Sequence, residues 1–488
     1  MTTRRARVLR AAARRLVLQA AAAALLGGCA APAPRYERPA APVPAQFPAA
    51  AAAAAPSAAP SAAAAAGAQA ETLDWPQFFG DARMRQAIAL ALAHNRDLRI
   101  AALNIEAARA QAVVRDADRW PTLGAGLAGA RQPSGRGSIN SLYTAGVQVT
   151  AYELDVFGRL RAASDAAAAQ VLAAEEARKA VQIALVAAVA GGTLALAADD
   201  EALRVTRAAL ATREASLRLV KLRLDVGAAA EPDLRQAESL LESARVGLVQ
   251  AQRQRAQDEN ALALLLGQPV PPELSAGLTL AAAARLPELP VGLPSEVLTR
   301  RPDVRAAEQQ LVAANANIGV ARAAFFPRIT LTGSVGSASN ELAGLFKSGS
   351  WAWSFAPQLL ATLFDSGRSQ ANLELARAGR DIALAQYERA IQSAFREVAD
   401  ALAGRATWGE QVQAQQRLVQ AETARQRLAD LRWRNGVASH LELLDAQRSA
   451  LAAELALVQA QAQAAQNAVV LYKVLGGGWR AAEPPPQR

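Results

Sequence analysis

The segment Asn95-Arg96-Asp97-Leu98-Arg99 returns 206 positions later as Arg301-Pro302-Asp303-Val304-Arg305. Pro121 and Pro327 keep the same offset, which becomes 209 farther along the chain. The later landmarks are Asp155 to Arg159 against Asp365 to Arg368, Gly227 against Gly436, and Leu266-Gly267 against Leu475-Gly476. Five landmarks in one order indicate an internal duplication. We predict that each copy contains a helix, two strands, and two long helices joined by a turn.

Changes in composition around the duplication predict the remaining organisation. We expect a signal peptide over residues 1–28, an Ala/Pro-rich tether over 29–72 and a linker over 268–291. The first repeat, 73–267, would hold a strand hairpin at 121–152 and long helices at 158–225 and 232–266. The second repeat, 292–478, would hold a hairpin at 327–360 and long helices at 368–434 and 440–475, before a C-terminal tail at 479–488.

The N-terminal residues indicate export. Met1 to Arg15 contains six arginines and no acid, and an apolar stretch follows from Leu16 to Leu26. This is the pattern of a secretory signal, and the apolar stretch is shorter than the roughly 20 residues that span a bilayer. Leu26-Gly27-Gly28-Cys29 resembles a lipobox, in which the cysteine is acylated and becomes the new N-terminus. The alternative is a free thiol beside an ordinary signal.

Composition argues against several classes of function. The formal net charge of +10 falls to +4 without the six signal arginines, and the other arginines are mixed with acids rather than clustered on a nucleic-acid-binding face. The chain has two histidines and one cysteine, and it lacks phosphate-binding and serine-nucleophile motifs. We therefore predict no enzyme, cofactor, metal site or nucleic-acid partner. We also find no apolar segment typical of a membrane-spanning helix, the nearest candidate being residues 183–198.

Three of the four predicted strands alternate apolar residues with polar or small ones. The apolar sets are Ala145, Val147, Val149 and Ala151; Ile329, Leu331 and Val335; and Trp351, Trp353 and Phe355. Such a period gives one apolar face, as in a soluble sandwich or a membrane barrel. Strands of about 10 residues, long polar turns over 132–142 and 337–350, and tryptophans suited to an interfacial girdle favour the barrel.

Strand number and helix length constrain such a barrel. Bacterial barrels start at about 8 strands, and an open sheet edge in lipid leaves backbone groups unpaired at several kcal/mol each. Four strands in a membrane therefore require several subunits. Each predicted helix of about 65 residues would span roughly 100 Å at ~1.5 Å per residue, so most of the chain would project into an aqueous space.

Taken together, these features resemble the outer membrane factor family, the TolC-like and OprM-like lipoprotein channels of tripartite efflux pumps. The resemblance runs from the lipobox through Gly478 and includes the segment from Trp75 to Asp81. It implies an α+β membrane protein: a homotrimer with a twelve-stranded transmembrane β-barrel, four strands per chain, continued by a periplasmic α-helical coiled-coil barrel. It also implies an outer-membrane location, passive drug or small-molecule export, and partners in a periplasmic membrane-fusion adaptor and an RND-type inner-membrane pump.

The resemblance assigns a gate to the second-copy turn. Family carboxylates at the positions of Glu442 and Asp445 point into the periplasmic entrance, where symmetry would stack them into cation-favouring rings. Locally, the same acids could simply stabilise a helix start. In the first copy, Asp233 aligns with Glu442, whereas Gln236 aligns with Asp445.

Other residues near the turns receive weaker assignments. An arginine that locks the closed state in some relatives is replaced here by Ala438. Arg434, Arg235 and Arg448 are the candidates to substitute for it. We interpret His440 as a solvated turn residue rather than a pH sensor.

Two alternative functions stay open at this point. A type I protein-secretion duct shares the fold, although the lipobox favours efflux. A periplasmic coiled-coil lipoprotein with a structural or adaptor role would share the helices, but it would lack the paired strand hairpins.

Overall fold

The computed structural model describes residues 34–44, 47, 74–133, 137–275, 279–287 and 295–477. The predicted signal peptide, Cys29 and the C-terminal tail lie outside the described residues. The chain divides into two compact units, and each contains segments of both sequence repeats. One unit comprises residues 1–40, 104–175 and 306–388, and the other comprises 41–103, 176–305 and 389–488. The repeats therefore remain a predicted division of the sequence.

Helices dominate the described residues. They are α1 Trp75–Phe78, α2 Ala82–His94, α3 Arg96–Ala117, α4 Arg159–Asp225, α5 Glu231–Leu266, α6 Pro272–Ser275, α7 Leu280–Ala283, α8 Pro302–Ala323, α9 Arg368–Arg434 and α10 His440–Val474. The strands are β1 Leu123–Pro133, β2 Ile139–Glu153, β3 Arg328–Ser339 and β4 Trp351–Leu360, and two 3₁₀ turns cover Ser295–Arg300 and Leu342–Gly344.

Side-chain caps set several of these boundaries. Asp81 precedes α2 and accepts hydrogen bonds from the backbone N–H groups of Arg83 and Met84, at 2.8 and 3.0 Å. Asn95 separates α2 from α3, where its side chain accepts from the Leu98 N–H at 2.9 Å. Such caps satisfy backbone donors that a helix start leaves unpaired.

The four strands form one antiparallel sheet in the order β1-β2-β3-β4. The register places Ala125, Val147, Val335 and Trp353 in one row across the sheet. The adjacent row on the opposite face contains Gly124, Gln148, Ser334 and Ser354. The sequence alternation therefore becomes one apolar and one small or polar face. In the single chain Trp351 and Trp353 are 70% and 72% exposed, as a lipid-facing surface requires.

A β-bulge in β2 changes one detail of the predicted alternation. The register shifts between Val149 and Tyr152, and Ala151 has a φ of 52°. Because the bulge inserts one extra residue, Tyr152 rather than Ala151 pairs with Leu331 and continues the apolar face. The prediction that Ala151 belongs to this face is wrong, because simple alternation cannot show an inserted residue.

The two outer strands of the sheet each pair on one side only within the described chain. β1 pairs with β2, and β4 pairs with β3. Unpaired strand edges are excluded from lipid, so closure of the sheet requires neighbouring subunits.

The expectation that no segment has the length and apolarity of a membrane-spanning helix is wrong for α4. The helix α4 contains an 18-residue window with a mean hydropathy of 2.0, enough to cross a membrane by length and composition. However, 56% of that window is buried within the fold, as in a core helix. A Cβ added at Gly192 would lie 3.4 Å from Leu262 of α5, so this part of α4 packs closely against a neighbouring helix.

Candidate functional site

Two similar helix turns form the candidate site. We call residues 226–230, between α4 and α5, the first turn, and residues 435–439, between α9 and α10, the second turn. Gly227 and Gly436 have φ values of 73° and 75°, a left-handed conformation that glycine adopts without steric cost. The backbone bonds that close the turns run from the Ala228 N–H to the Arg223 carbonyl at 2.7 Å and from the Val437 N–H to the Arg432 carbonyl at 2.8 Å. This pattern satisfies the last helical carbonyls in both copies.

Glu442 is the third residue of α10, which begins at His440. The hydroxyl of Ser439 caps this helix by accepting from the Glu442 N–H at 3.4 Å. The Glu442 carboxylate accepts a hydrogen bond from Nη1 of Arg432 on α9, at 2.7 Å. Both side chains are about half exposed, at 42% and 53%. The pair links the two helices across the second turn and leaves the carboxylate in contact with solvent.

Asp445 has two arginine partners. Arg448 contacts its Oδ1 at 2.7 Å, and Arg425 of α9 contacts its Oδ2 at 3.4 Å. Arg425 also contacts Glu422 at 2.9 Å. Two carboxylates and two guanidinium groups therefore form a locally neutral cluster. Removing the Asp445 charge would leave this surface net positive.

The predicted substitutes for the missing lock differ in their contacts. Arg434 pairs with Asp430, and Arg235 pairs with Glu231 and Glu238. Of the three candidate arginines, only Arg448 contacts a predicted gate acid among the described residues.

Sequence reasoning missed Arg425 and Arg432. Arg432 lies three residues before the second turn and Glu442 lies three residues after it, whereas Arg425 lies ten residues before the turn and Asp445 lies six residues after it. In an antiparallel helix pair, residues equidistant from the turn come side by side. This symmetry was a signal that could have identified the pair of Arg432 and Glu442, but it gives no such signal for Arg425 and Asp445.

Asp233 has a different environment from the aligned Glu442. Its carboxylate accepts from the backbone N–H of Ala230 at 3.3 Å, so it caps the start of its own helix. The side chain is half buried. Burial lowers the pKa of the nearby His440, and the negative charge of Asp233 partly opposes that lowering. The structure thus gives Asp233 a capping contact, and its role at a gate stays a prediction.

The interpretation of His440 as a solvated residue is wrong. It is only 6% exposed, and its Nε2 lies 3.4 Å from the hydroxyl of Ser216 on α4. Its ring centroid lies 4.9 Å from that of Trp433. Burial lowers the pKa of His440 from its usual 6.5, the charge of Asp233 partly opposes this, and that of Arg223 adds to it. The sequence position beside a turn suggested exposure, but packing against α4 covers the ring.

His440 borders a buried apolar cluster, which we call the turn cluster, through its contact with Trp433. Its members are Val220, Ala237, Ala429, Trp433, Leu443 and Ala446, with Leu217, Leu219 and Leu234 packed against them. The Arg223 guanidinium lies 4.3 Å from the centroid of the Trp433 ring, within the range of a cation–π contact. The turn cluster therefore joins helices of both sequence copies immediately above the two turns.

Comparisons with known proteins agree with this architecture. A family model described as outer membrane efflux protein matches residues 87–268 and 293–477. The chain is 44% identical over 471 residues to the toluene efflux pump outer membrane protein TtgC of Pseudomonas putida, covering 95% of this chain and 96% of that protein. Identity to the antibiotic efflux pump outer membrane protein ArpC of the same species is also 44%, with the same coverage.

Solved structures give the same result. The chain matches the open state of the Neisseria gonorrhoeae MtrE outer membrane channel with a TM-score of 0.82 and 40% identity. The match covers 92% of this chain and 98% of that one.

Proposed function

The chain belongs to the outer membrane efflux protein family, and we propose that Glu442 and Asp445 form a cation-selecting constriction in its channel. The chain is a subunit of the passive exit duct of a tripartite efflux pump in the outer membrane. It assembles as a homotrimer, whose twelve strands close the barrel, and works with a periplasmic adaptor and an inner-membrane pump. The four-stranded sheet argues against the alternative of a purely coiled-coil lipoprotein. The naming of the relatives as efflux proteins favours efflux over type I secretion.

The observation that carries the gate proposal is the shared, exposed placement of the two acids on α10. Glu442 and Asp445 lie three residues apart on one helix face, and each contacts an arginine of α9. Threefold symmetry would repeat both acids as rings, together with their arginines. Selectivity would then depend on the balance between the two charges, as in other charged pore rings.

Reversal potentials in planar bilayers under a salt gradient test the proposal. Asp445→Ala is expected to lower cation selectivity, because Arg425 and Arg448 lose their shared counter-charge. Asp445→Arg is expected to lower it further or to reverse it. Gln236→Ala, at the aligned first-copy position, is the matched control and should leave the potential unchanged. Unchanged potentials in both Asp445 variants would refute the assignment.

Lipidation at Cys29 is a second part of the proposal. It is supported by the lipobox sequence and by the absence of any other cysteine in the chain. Radiolabelled palmitate should enter the protein and be lost in Cys29→Ser. With a standard cleavage site, Cys29→Ser should still yield some membrane-embedded trimer, because the closed barrel holds the protein in the membrane independently. Complete release of that variant as soluble protein would contradict this view.

We propose small apolar solvents and antibiotics as the exported compounds. The support is the naming of two relatives as toluene and antibiotic efflux components. Complementation of a host lacking its own channel should restore growth at toluene and antibiotic concentrations that inhibit the host. Restoration by the wild-type chain but not by a truncation lacking β3 and β4 would support the proposal. No difference between the two would count against it.

A further inference from the structure

Arg213 of α4 is a buried cation without an acidic partner. The residue is only 7% exposed. Its Nη1 donates a hydrogen bond to the Leu240 carbonyl of α5 at 2.9 Å, and within the described part of the chain no carboxylate pairs with it. Burial lowers the pKa of Arg213, and no acid among the described residues opposes this change. A carboxylate in contact would raise that pKa, so the guanidinium lacks a counter-charge from its own chain.

A buried and unpaired guanidinium is costly for the folded chain. Arginine keeps its proton at neutral pH, because its unperturbed pKa is about 12.5 or higher. Buried charges are normally paired and hydrogen-bonded, and an uncompensated one strongly destabilises a fold. The Leu240 carbonyl occupies one of several N–H donors that the guanidinium offers. Arg213 therefore calls for a negatively charged group that accepts hydrogen bonds.

A cavity lined by Arg213 provides room for such a group. It has a volume of about 110 Å³ and lies between α4, α9 and α10. Its polar lining comprises Thr212 and Arg213 of α4, Gln426 of α9, and Gln447 and Glu454 of α10. A water molecule takes up roughly 30 Å³ in the liquid. An ion of the size of chloride therefore fits, together with some of its hydration water.

The amide of Gln447 is suited to hold a ligand in this cavity. Its Oε1 atom is buried and has no hydrogen-bond donor among the described residues. The oxygen and nitrogen of an amide occupy nearly equivalent positions, so a half-turn of the group places N–H donors where this oxygen lies. Gln447 can then donate to an anion that also accepts from Arg213. Gln426 lines the same cavity and offers a second amide.

Glu454 is the acidic group in the lining, and its charge acts on a different arginine. It raises the pKa of Arg204, whereas it has no effect on that of Arg213. Arg204 precedes Arg213 by nine residues of α4, which is roughly 13 Å along the helix axis. The Glu454 carboxylate thus leaves the part of the cavity near Arg213 positive.

We propose that this cavity, which we call the anion site, binds a small inorganic anion of the chloride class against Arg213. Gln426 and Gln447 supply further N–H donors from α9 and α10. The bound anion joins α4 to these two helices at the level of Arg425 and Arg448, the neighbours of the two glutamines in sequence. It therefore stabilises the packing of the helices that carry the Asp445 cluster.

Bromide, which resembles chloride and scatters X-rays anomalously, tests the position of the site. Crystals of the full-length trimer soaked in sodium bromide should show an anomalous peak in contact with the Arg213 guanidinium. The peak should be absent from Arg213→Gln. Bromide peaks in the wild type that all lie away from Arg213 would overturn the proposal.

Thermal unfolding of the full-length trimer tests the site in solution. At constant ionic strength, replacing gluconate with chloride should raise the melting temperature of the wild type along a saturating curve, by roughly 2–4 °C. Arg213→Gln should remove this dependence. Arg204→Gln is the matched control, because Arg204 is 65% exposed and pairs with Glu201 at the surface. The control should keep the chloride dependence of the wild type.

A change of charge within the lining gives a result of opposite sign. Glu454→Gln removes a negative charge from the anion site and should lower the chloride concentration at half-saturation by about threefold to tenfold. An unchanged or higher half-saturation would contradict this cavity as the binding site. A wild-type melting temperature that does not depend on chloride would overturn the proposal and assign the counter-charge of Arg213 to a neighbouring subunit.

Discussion

The first and second turns share a backbone but differ in what their side chains contact. Each has a left-handed glycine and the same closing hydrogen bonds. At the 209-residue offset, Arg432 corresponds to Arg223 and Arg425 to Ser216. In the second copy both arginines lie on α9, before the second turn. They contact Glu442 and Asp445 on α10, which follows that turn.

The corresponding first-copy residues contact the second copy instead. Arg223 lies over Trp433, and Ser216 lies beside His440. The helices around the second turn thus present charged pairs to solvent. The helix before the first turn instead packs against Trp433 and His440 of the second copy. Duplication preserved the local geometry, and divergence at a few positions divided exposure and support between the copies. We therefore expect substitutions in the two turns to affect different properties.

The largest expected effect is on the buried contact between the copies. Trp433→Ala should destabilise the helical region by about 3–5 kcal/mol, the usual range for loss of a buried aromatic side chain. Thermal unfolding of the detergent-solubilised trimer, followed by circular dichroism, measures the change. Leu224→Ala, at the aligned and half-exposed first-copy position, is the control and should cause a much smaller shift. Equal shifts in melting temperature for the two variants would mean that the aligned positions of the two copies contribute equally to stability.

The buried histidine should make stability dependent on pH. Because burial lowers the pKa of His440 below 6.5, the unfolded chain takes up a proton more readily than the folded chain. Stability should therefore be full above pH 6.5 and fall as the pH drops below it. Asp233 and Arg223 are the charged groups that act on the ring, with opposite effects on its pKa.

His440→Gln should flatten this pH dependence, as measured by melting temperatures between pH 7.5 and 5. A variant profile parallel to that of the wild type would assign the dependence to other groups.

The exposed pairs of the second turn should affect selectivity more than stability. Arg448→Ala removes one guanidinium from Asp445 and should raise cation selectivity in the reversal-potential assay. The expected melting temperature is nearly unchanged, since exposed ion pairs contribute about 0–1 kcal/mol. A fall in cation selectivity would show that Arg448 orients Asp445 rather than offsetting its charge.

The smallest effect is expected in the first turn. Arg235 pairs with Glu231 and Glu238 at a fully solvated position of α5. Arg235→Ala should leave both melting temperature and reversal potential unchanged within experimental error. A clear change in selectivity would place the first turn in the ion pathway and remove the division of roles proposed for the two copies.

Local patterns in the sequence predicted much of this molecule. The alternation of Val147 and Val335 with polar neighbours predicted amphipathic strands, because side chains of a strand point to opposite faces in turn. Gly227 and Gly436 predicted the helix turns, because a left-handed residue ends a helix most easily when it has no Cβ. The family, the trimeric barrel and the efflux role were confirmed by comparison.

Contacts between distant residues could not be read in this way. Burial of His440 depends on Ser216 and Trp433, and Arg38 pairs with Glu308, which lies 270 positions farther along the chain. Periodicity and turn chemistry act over a few residues, so a sequence shows them directly. Ion pairs and burial between distant residues arise only when separate helices pack together. Many residues are chemically suitable for such a contact, and the tertiary structure decides which of them come together.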